Sequence, residues 1–169
     1  MTLESLAIGS GAPDFDLSST EDVLLMLRDE VPRNTVVLYV FLEVDDSSRA
    51  DLDALADRAP KLATKGVRVM ALSPAKLPAL KQLQADLRLP FPLLSDDRDF
   101  CAQYGVEAEV ASRRLVAVNR SCKVAWQASE WSNIDQALKD MKSAGVNSES
   151  VLTNYPGKVI NRLVSWWVN

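Results

Sequence analysis

Few side chains in this sequence could act as nucleophiles: it has two cysteines, Cys101 and Cys122, and no histidine. Thiolates rather than thiols do the attacking, so each cysteine counts through its surroundings. Cys101 lies in Asp99-Phe100-Cys101-Ala102-Gln103-Tyr104. A helical period there turns it toward the core beside Phe100 or Tyr104, where free cysteine behaves as a small buried apolar residue. Cys122, between Arg120-Ser121 and Lys123, is expected to be exposed in a turn whose cations modestly favour thiolate. The two do not form a Cys-x-x-Cys motif. The run Asp45-Asp46-Ser47-Ser48-Arg49 offers hydroxyls and carboxylates. Without a histidine to serve as base, however, a serine hydroxyl ionises only far above neutral pH. Histidine-based catalysis is excluded, and the Cys/His inventory argues against a tetrahedral zinc site.

Alternating strand and helix signals must position these groups. Asp14-Phe15-Asp16-Leu17 alternates as an edge strand does. Val23, Leu24, Leu27 and Val31 fall at helical spacing and predict a helix over 21–30, with Ser19 or Thr20 as cap. Val36 to Phe41 is a continuous β-branched and aromatic run, the pattern of a central strand buried on both faces. From Ser48 to Lys65, Leu52, Leu55, Ala56, Ala59, Leu62 and Ala63 predict an amphipathic helix that Pro60 kinks or ends. Val67 to Leu72 is a second buried strand, and βαβ units of this length imply parallel pairing. Leu77 to Leu87 reads as a helix. The prolines of Leu89-Pro90-Phe91-Pro92-Leu93-Leu94 deny that extended run a central place. A short helix over 99–104 closes at Gly105. Leu115 to Asn119 and Lys123 to Trp126 form an edge hairpin around Arg120-Ser121-Cys122, and a last core helix runs from Ile134 to Met141.

At 169 residues, 47% hydrophobic and 25% charged, the chain describes one ordinary domain with short additions, read as a domain over 1–145 and a C-terminal extension over 146–169. A net charge of −4 without any Lys/Arg run argues against a nucleic-acid surface. The first residues carry no basic and apolar leader pattern, and no apolar stretch approaches ~18 residues. A cytoplasmic protein with reduced thiols is therefore expected.

Four segments in this order carry a family resemblance. Gly11-Ala12-Pro13-Asp14-Phe15-Asp16-Leu17, Val36-Val37-Leu38-Tyr39, Leu89-Pro90-Phe91-Pro92-Leu93-Leu94-Ser95-Asp96 and Tyr104-Gly105-Val106 are similar to segments of the alkyl hydroperoxide reductase and thiol-specific antioxidant (AhpC/TSA) family. Within it the chain most resembles peroxiredoxins of the bacterioferritin-comigratory type, over about residues 8–144. The resemblance implies an α/β, thioredoxin-like fold with a central mixed sheet flanked by helices. It also implies a thiolate in the first turn of the helix after the first core strand, activated by helix amides and a nearby arginine. Where the family carries Thr-Pro-x-Cys, ten residues on from Tyr39, this chain has Asp46-Ser47-Ser48-Arg49. Arg49 stands at the nucleophile's place, where a cation opposes the helix dipole by ~0.3–1 kcal/mol. The family's second arginine falls at Arg113 or Arg114, readable as a relic anion site or as solvated strand-end charge.

Beyond the resemblance, Asn154-Tyr155-Pro156 can start a helix. Val159, Ile160, Leu163, Val164 and Trp167 then recur on one face, with Trp166 about 100° away. The stripe either packs back on its own domain or docks a protein partner or a second copy through Ile160, Leu163, Trp166 and Trp167. With Lys158 and Arg162 as its only basic residues, membrane binding is the weaker version. The resulting expectation is a catalytically degenerate family member, a pseudoenzyme acting as a binding or structural subunit and needing no cofactor. The alternative is a thiol peroxidase that has moved its chemistry to Cys101 or Cys122.

Overall fold

The computed structural model of the chain describes residues 6–146. At its centre is β3 (Thr35–Phe41), where Val36 to Val40 are 0% exposed and Phe41 1%. A strand buried on both faces needs apolar cover on both, and its β-branched residues suit that pleated setting. β3 pairs in parallel with β4 (Val67–Ser73), which pairs in parallel with β5 (Leu93–Ser95). On its other side β3 pairs antiparallel with β6 (Arg113–Val118), which pairs antiparallel with β7 (Val124–Ala128). The mixed sheet therefore runs β5-β4-β3-β6-β7, with the proline-flanked β5 and the hairpin strand β7 on its edges.

Alternation along β3 divides the core in two. Val37, Tyr39 and Phe41 face α2 (Asp46–Thr64), α3 (Leu77–Leu87) and α5 (Ile134–Ser143). Val36, Leu38 and Val40 face α1 (Leu27–Glu30), α4 (Phe100–Gln103) and the N-terminal segment around Phe15 and Leu17. In α2 the buried residues are Ser48, Asp51, Leu52, Leu55 and Ala59, one stripe at helical spacing. Gly105 follows α4 at φ 77, a conformation that strains an L side chain, and a Cβ there would press on the Arg114 guanidinium at 3.1 Å.

Most predicted elements are present, with one correction. The helix predicted over 21–30 is replaced by β2 (Leu24–Met26) running into the four-residue α1. The Ser19 backbone N–H (3.0 Å) and hydroxyl (2.8 Å) both donate to the Val23 carbonyl, and Asp22 adopts φ 59. That turn folds β2 back on β1 (Asp16–Ser18) as a two-stranded sheet of its own. Val23 and Leu24 consequently point to solvent, at 52% and 54% exposure, so their helical spacing marked no core face. Pro60 lies inside α2, which continues to Thr64, so of its two expected effects it does not end the helix.

An interior proline removes one helical hydrogen bond and crowds the preceding turn, costing up to about 3 kcal/mol. Pro60 is exposed, so Pro60→Ala is expected to raise stability by about 1–3 kcal/mol in urea unfolding. A lowered midpoint would mean that the restriction Pro60 places on the unfolded chain outweighs the hydrogen bond it removes.

Candidate functional site

A pocket of about 230 Å³ opens where β3 leaves the core and α2 begins. Tyr39 and Phe41 line it from β3, Glu43, Asp45, Ser47 and Ser48 from the loop and the first turn of α2, and Arg113 from the start of β6. The first turn is built by a capping box. The Asp45 carboxylate accepts from the Ser48 backbone N–H at 2.8 Å, and the Ser48 hydroxyl accepts from the Asp45 N–H at 2.9 Å. Buried Ser48 is thereby committed to holding the helix end, while Asp46, Ser47 and Arg49 are exposed. Arg49 lies in that first turn without lining the pocket.

Below the pocket lies a polar cluster that sequence reasoning missed. Asp51, 5% exposed, accepts from the Tyr39 hydroxyl at 2.7 Å, from the Trp131 indole N–H at 3.1 Å and from Arg113. The Arg113 guanidinium also stacks over the Trp131 ring, 4.3 Å from its centroid. Tyr39 stacks on Phe41 at 5.3 Å and meets Trp131 edge-on at 6.3 Å. Burial, followed by the Asp51 charge and its hydrogen bond, raises the Tyr39 pKa far above its ordinary value. The signal available in the sequence was Asp51 itself, a carboxylate on the apolar stripe of a helix between Ser48 and Leu55. Arg113 lines the pocket from the start of β6. Its side chain is 24% exposed and paired with Asp51, so it is a partly buried charge rather than a freely solvated one. Arg114 points to the other face of the sheet and donates to Gln127 Oε1 at 2.7 Å.

Neither thiol joins this site. Cys101 is 4% exposed and packs with Phe15 and Tyr104 on the opposite face of the sheet. Burial, together with the hydrogen bond and charge of Asp96, raises its pKa far above the ordinary thiol range. Cys122 sits in the hairpin turn at φ 58 and is half-buried rather than exposed. Its thiol packs against the same core cluster, and burial followed by Asp14 raises its pKa. The expected stabilisation of thiolate by Arg120 and Lys123 is therefore corrected: desolvation and a carboxylate outweigh two solvated cations. Both cysteines are free. Among the described residues no group of three or more His, Cys, Asp or Glu could hold a metal ion, and no helix is long and apolar enough to cross a membrane. The stripe residues Ile160, Leu163, Trp166 and Trp167 lie outside the described residues.

Comparison with known proteins agrees with this architecture. The AhpC/TSA family's sequence model matches residues 8–127. A bcp peroxiredoxin of Coxiella burnetii is 35% identical over 105 residues, covering 60% of this chain and 68% of that protein. Alkyl hydroperoxide reductase E of Mycobacterium tuberculosis is 32% identical over 123 residues, covering 69% of this chain and 80% of the relative. In fold, the chain superimposes on the peroxidoxin BcpB of Mycobacterium tuberculosis with a TM-score of 0.73 at 20% identity, covering 83% of this chain and 97% of that one. A mixed sheet with helices on both faces and a pocket at the N-terminus of α2 define a thioredoxin-like protein of the peroxiredoxin class. The chain belongs to the AhpC/TSA family.

Two measurements test the polar cluster and the buried thiol. Asp51→Ala strands a largely buried guanidinium and a buried phenol, and is expected to cost about 3 kcal/mol of stability by urea unfolding. Asp51→Asn keeps hydrogen-bonding capacity and should cost less. The second concerns pH. The unfolded thiol ionises near pH ~8.5, whereas native Cys101 keeps its proton, so unfolding releases a proton above that pH. Its contribution to stability is complete below pH ~8.5 and declines above it by about 1.4 kcal/mol per pH unit. Cys101→Ala is expected to flatten the fall in stability between about pH 9 and 10 relative to the parent chain. An unchanged slope would show that the native thiol ionises normally.

Proposed function

We propose that this chain is a family member without peroxidase chemistry, serving as a binding or structural subunit. The observation that carries the reading is the first turn of α2, where Arg49 stands exposed and the hydroxyl beside it is held in a capping box. Peroxide reduction needs a thiolate that a cationic neighbour can activate. Here the nearby Arg113 is already paired with Asp51, and both thiols lie elsewhere with raised pKa values. A retained scaffold with an acidic pocket mouth at Glu43 and Asp45 fits recognition better than turnover. The partner is a protein or a second copy, met through Ile160, Leu163, Trp166 and Trp167; aromatic residues of this kind anchor interfaces.

A second reading is favoured by the names of the relatives, a peroxiredoxin and an alkyl hydroperoxide reductase. It keeps a thiol-dependent peroxidase or oxidoreductase activity on Cys101 or Cys122, of which Cys122 is the more accessible.

The two readings part in a peroxide-consumption assay with hydrogen peroxide or an alkyl hydroperoxide and a dithiol reductant. Consumption is expected to stay at the protein-free rate in the parent chain. Turnover that Cys122→Ser or Cys101→Ser abolishes would overturn the non-enzymatic reading. Thiols that stay unmodified by peroxide, followed by intact mass, would remove the second reading.

A further inference from the structure

Helices α2 and α5 lie on the same face of the sheet and enclose a groove of about 280 Å³. From α2 and its C-cap come Arg58, Lys61, Leu62 and Lys65, and from α5 come Asp135, Leu138, Lys139 and Lys142. Both sets follow the i, i+3, i+4, i+7 spacing of one helical face, so the walls are two ridges about 10 Å long. The floor is apolar, with Val67, Met141 and Val146 beneath the half-buried Leu62 and Leu138. Its rim carries five cations against one carboxylate, Asp135, which Arg58 already engages at 2.8 Å. In a chain of net charge −4 this is a local reversal of sign.

A third amphipathic helix fits between two such ridges, and the sequence beyond Val146 carries an apolar stripe of that period. The described residues end at Val146, which is itself on the groove floor. Onward from there, Ile160, Leu163, Val164 and Trp167 repeat the same i, i+3, i+4, i+7 spacing as both walls. Residues 147–155 can span up to about 30 Å, twice the roughly 15 Å length of α5 that a reversing chain must travel. The segment 147–169 holds one acid, Glu149, and two bases, so charge neither seats nor expels it. Its tryptophan faces, however, are suited to the ammonium groups of the rim.

We propose that the groove between α2 and α5 is the seat of residues 156–168 of this same chain, packed as a helix antiparallel to α5. The arrangement does not depend on the absence of peroxidase chemistry. It sets the resting state from which any partner of the C-terminal stripe would have to draw it.

Proximity tests this directly. In the full chain with Cys122→Ser, Leu138→Cys and Leu163→Cys are treated with a short thiol-to-thiol crosslinker, and products are mapped by electrophoresis and peptide mass. An intramolecular 138–163 link at monomer mobility is expected, at least tenfold more abundant than the link from Val23→Cys, an exposed site on the β1–β2 hairpin. No 138–163 link, equal linking from Val23→Cys, or links only between two chains would overturn the proposal, the last by placing a second copy in the groove. Hydrogen exchange on the unsubstituted chain guards against misfolded variants. Amides of 157–168 are expected to exchange at least about 100-fold slower than an open segment, and free exchange there would equally overturn the proposal.

Discussion

Burying β3 on both faces is the constraint on which the other elements depend. A strand whose side chains are 0–1% exposed from Val36 to Phe41 requires two apolar layers, and each large side chain there contributes about 1.5–3 kcal/mol only if its own layer closes over it. One layer is three helices, α2, α3 and α5; the other is assembled from short pieces, α1, α4 and the segment around Phe15 and Leu17. The asymmetry follows from topology. The parallel β3–β4 and β4–β5 pairings need crossovers, which supply α2 and α3 on one face. The antiparallel β6–β7 pairing needs only a turn.

The same strand creates the site. Tyr39 and Phe41 belong to the helix-covered face but lie at the end where the sheet gives way to loop, so a polar group can reach the phenol. Asp51 does so, and burying its charge is tolerable because three donors converge on it from β3, β6 and the segment before α5. The cluster links α2 and the segment before α5 to the paired ends of β3 and β6. It also absorbs the cation nearest the pocket. The family scaffold is thus preserved by interactions beneath the first turn of α2, while the first turn itself holds Arg49 and a capping box.

Much of this was legible in the sequence because burial and periodicity agreed. The β3 run, the α2 stripe and the Leu77–Leu87 helix each had one period and clear breakers, and their bounds match closely. Residues 21–30 failed because a helical spacing of four apolar residues says nothing about whether a core lies opposite. The local hydrogen bonds of Ser19 and the left-handed Asp22 prevailed there. Cys122 was misjudged for a related reason: a turn between two cations looks solvated, yet this turn is bonded to the N-terminal segment, with the Ala12 N–H donating to the Cys122 carbonyl at 2.8 Å. Long-range pairing of that kind leaves no local pattern. The Arg113–Asp51 pair is another such case, since the partners are 62 residues apart.

The placement of charge connects the site with the rest of the surface. The pocket mouth is acidic through Glu43 and Asp45, whereas the groove between α2 and α5 is basic. Both involve α2, whose N-terminal turn begins with Asp46 and whose last turn carries Lys61, the arrangement that a helix dipole favours. Arg49, in the second half of the first turn, is the exception, a cation where the dipole prefers an anion. A thiolate at that place would gain from the same field that Arg49 opposes. Arg49 is therefore opposed by the field of the helix end, while the capping box and the buried Asp51 keep α2 in position.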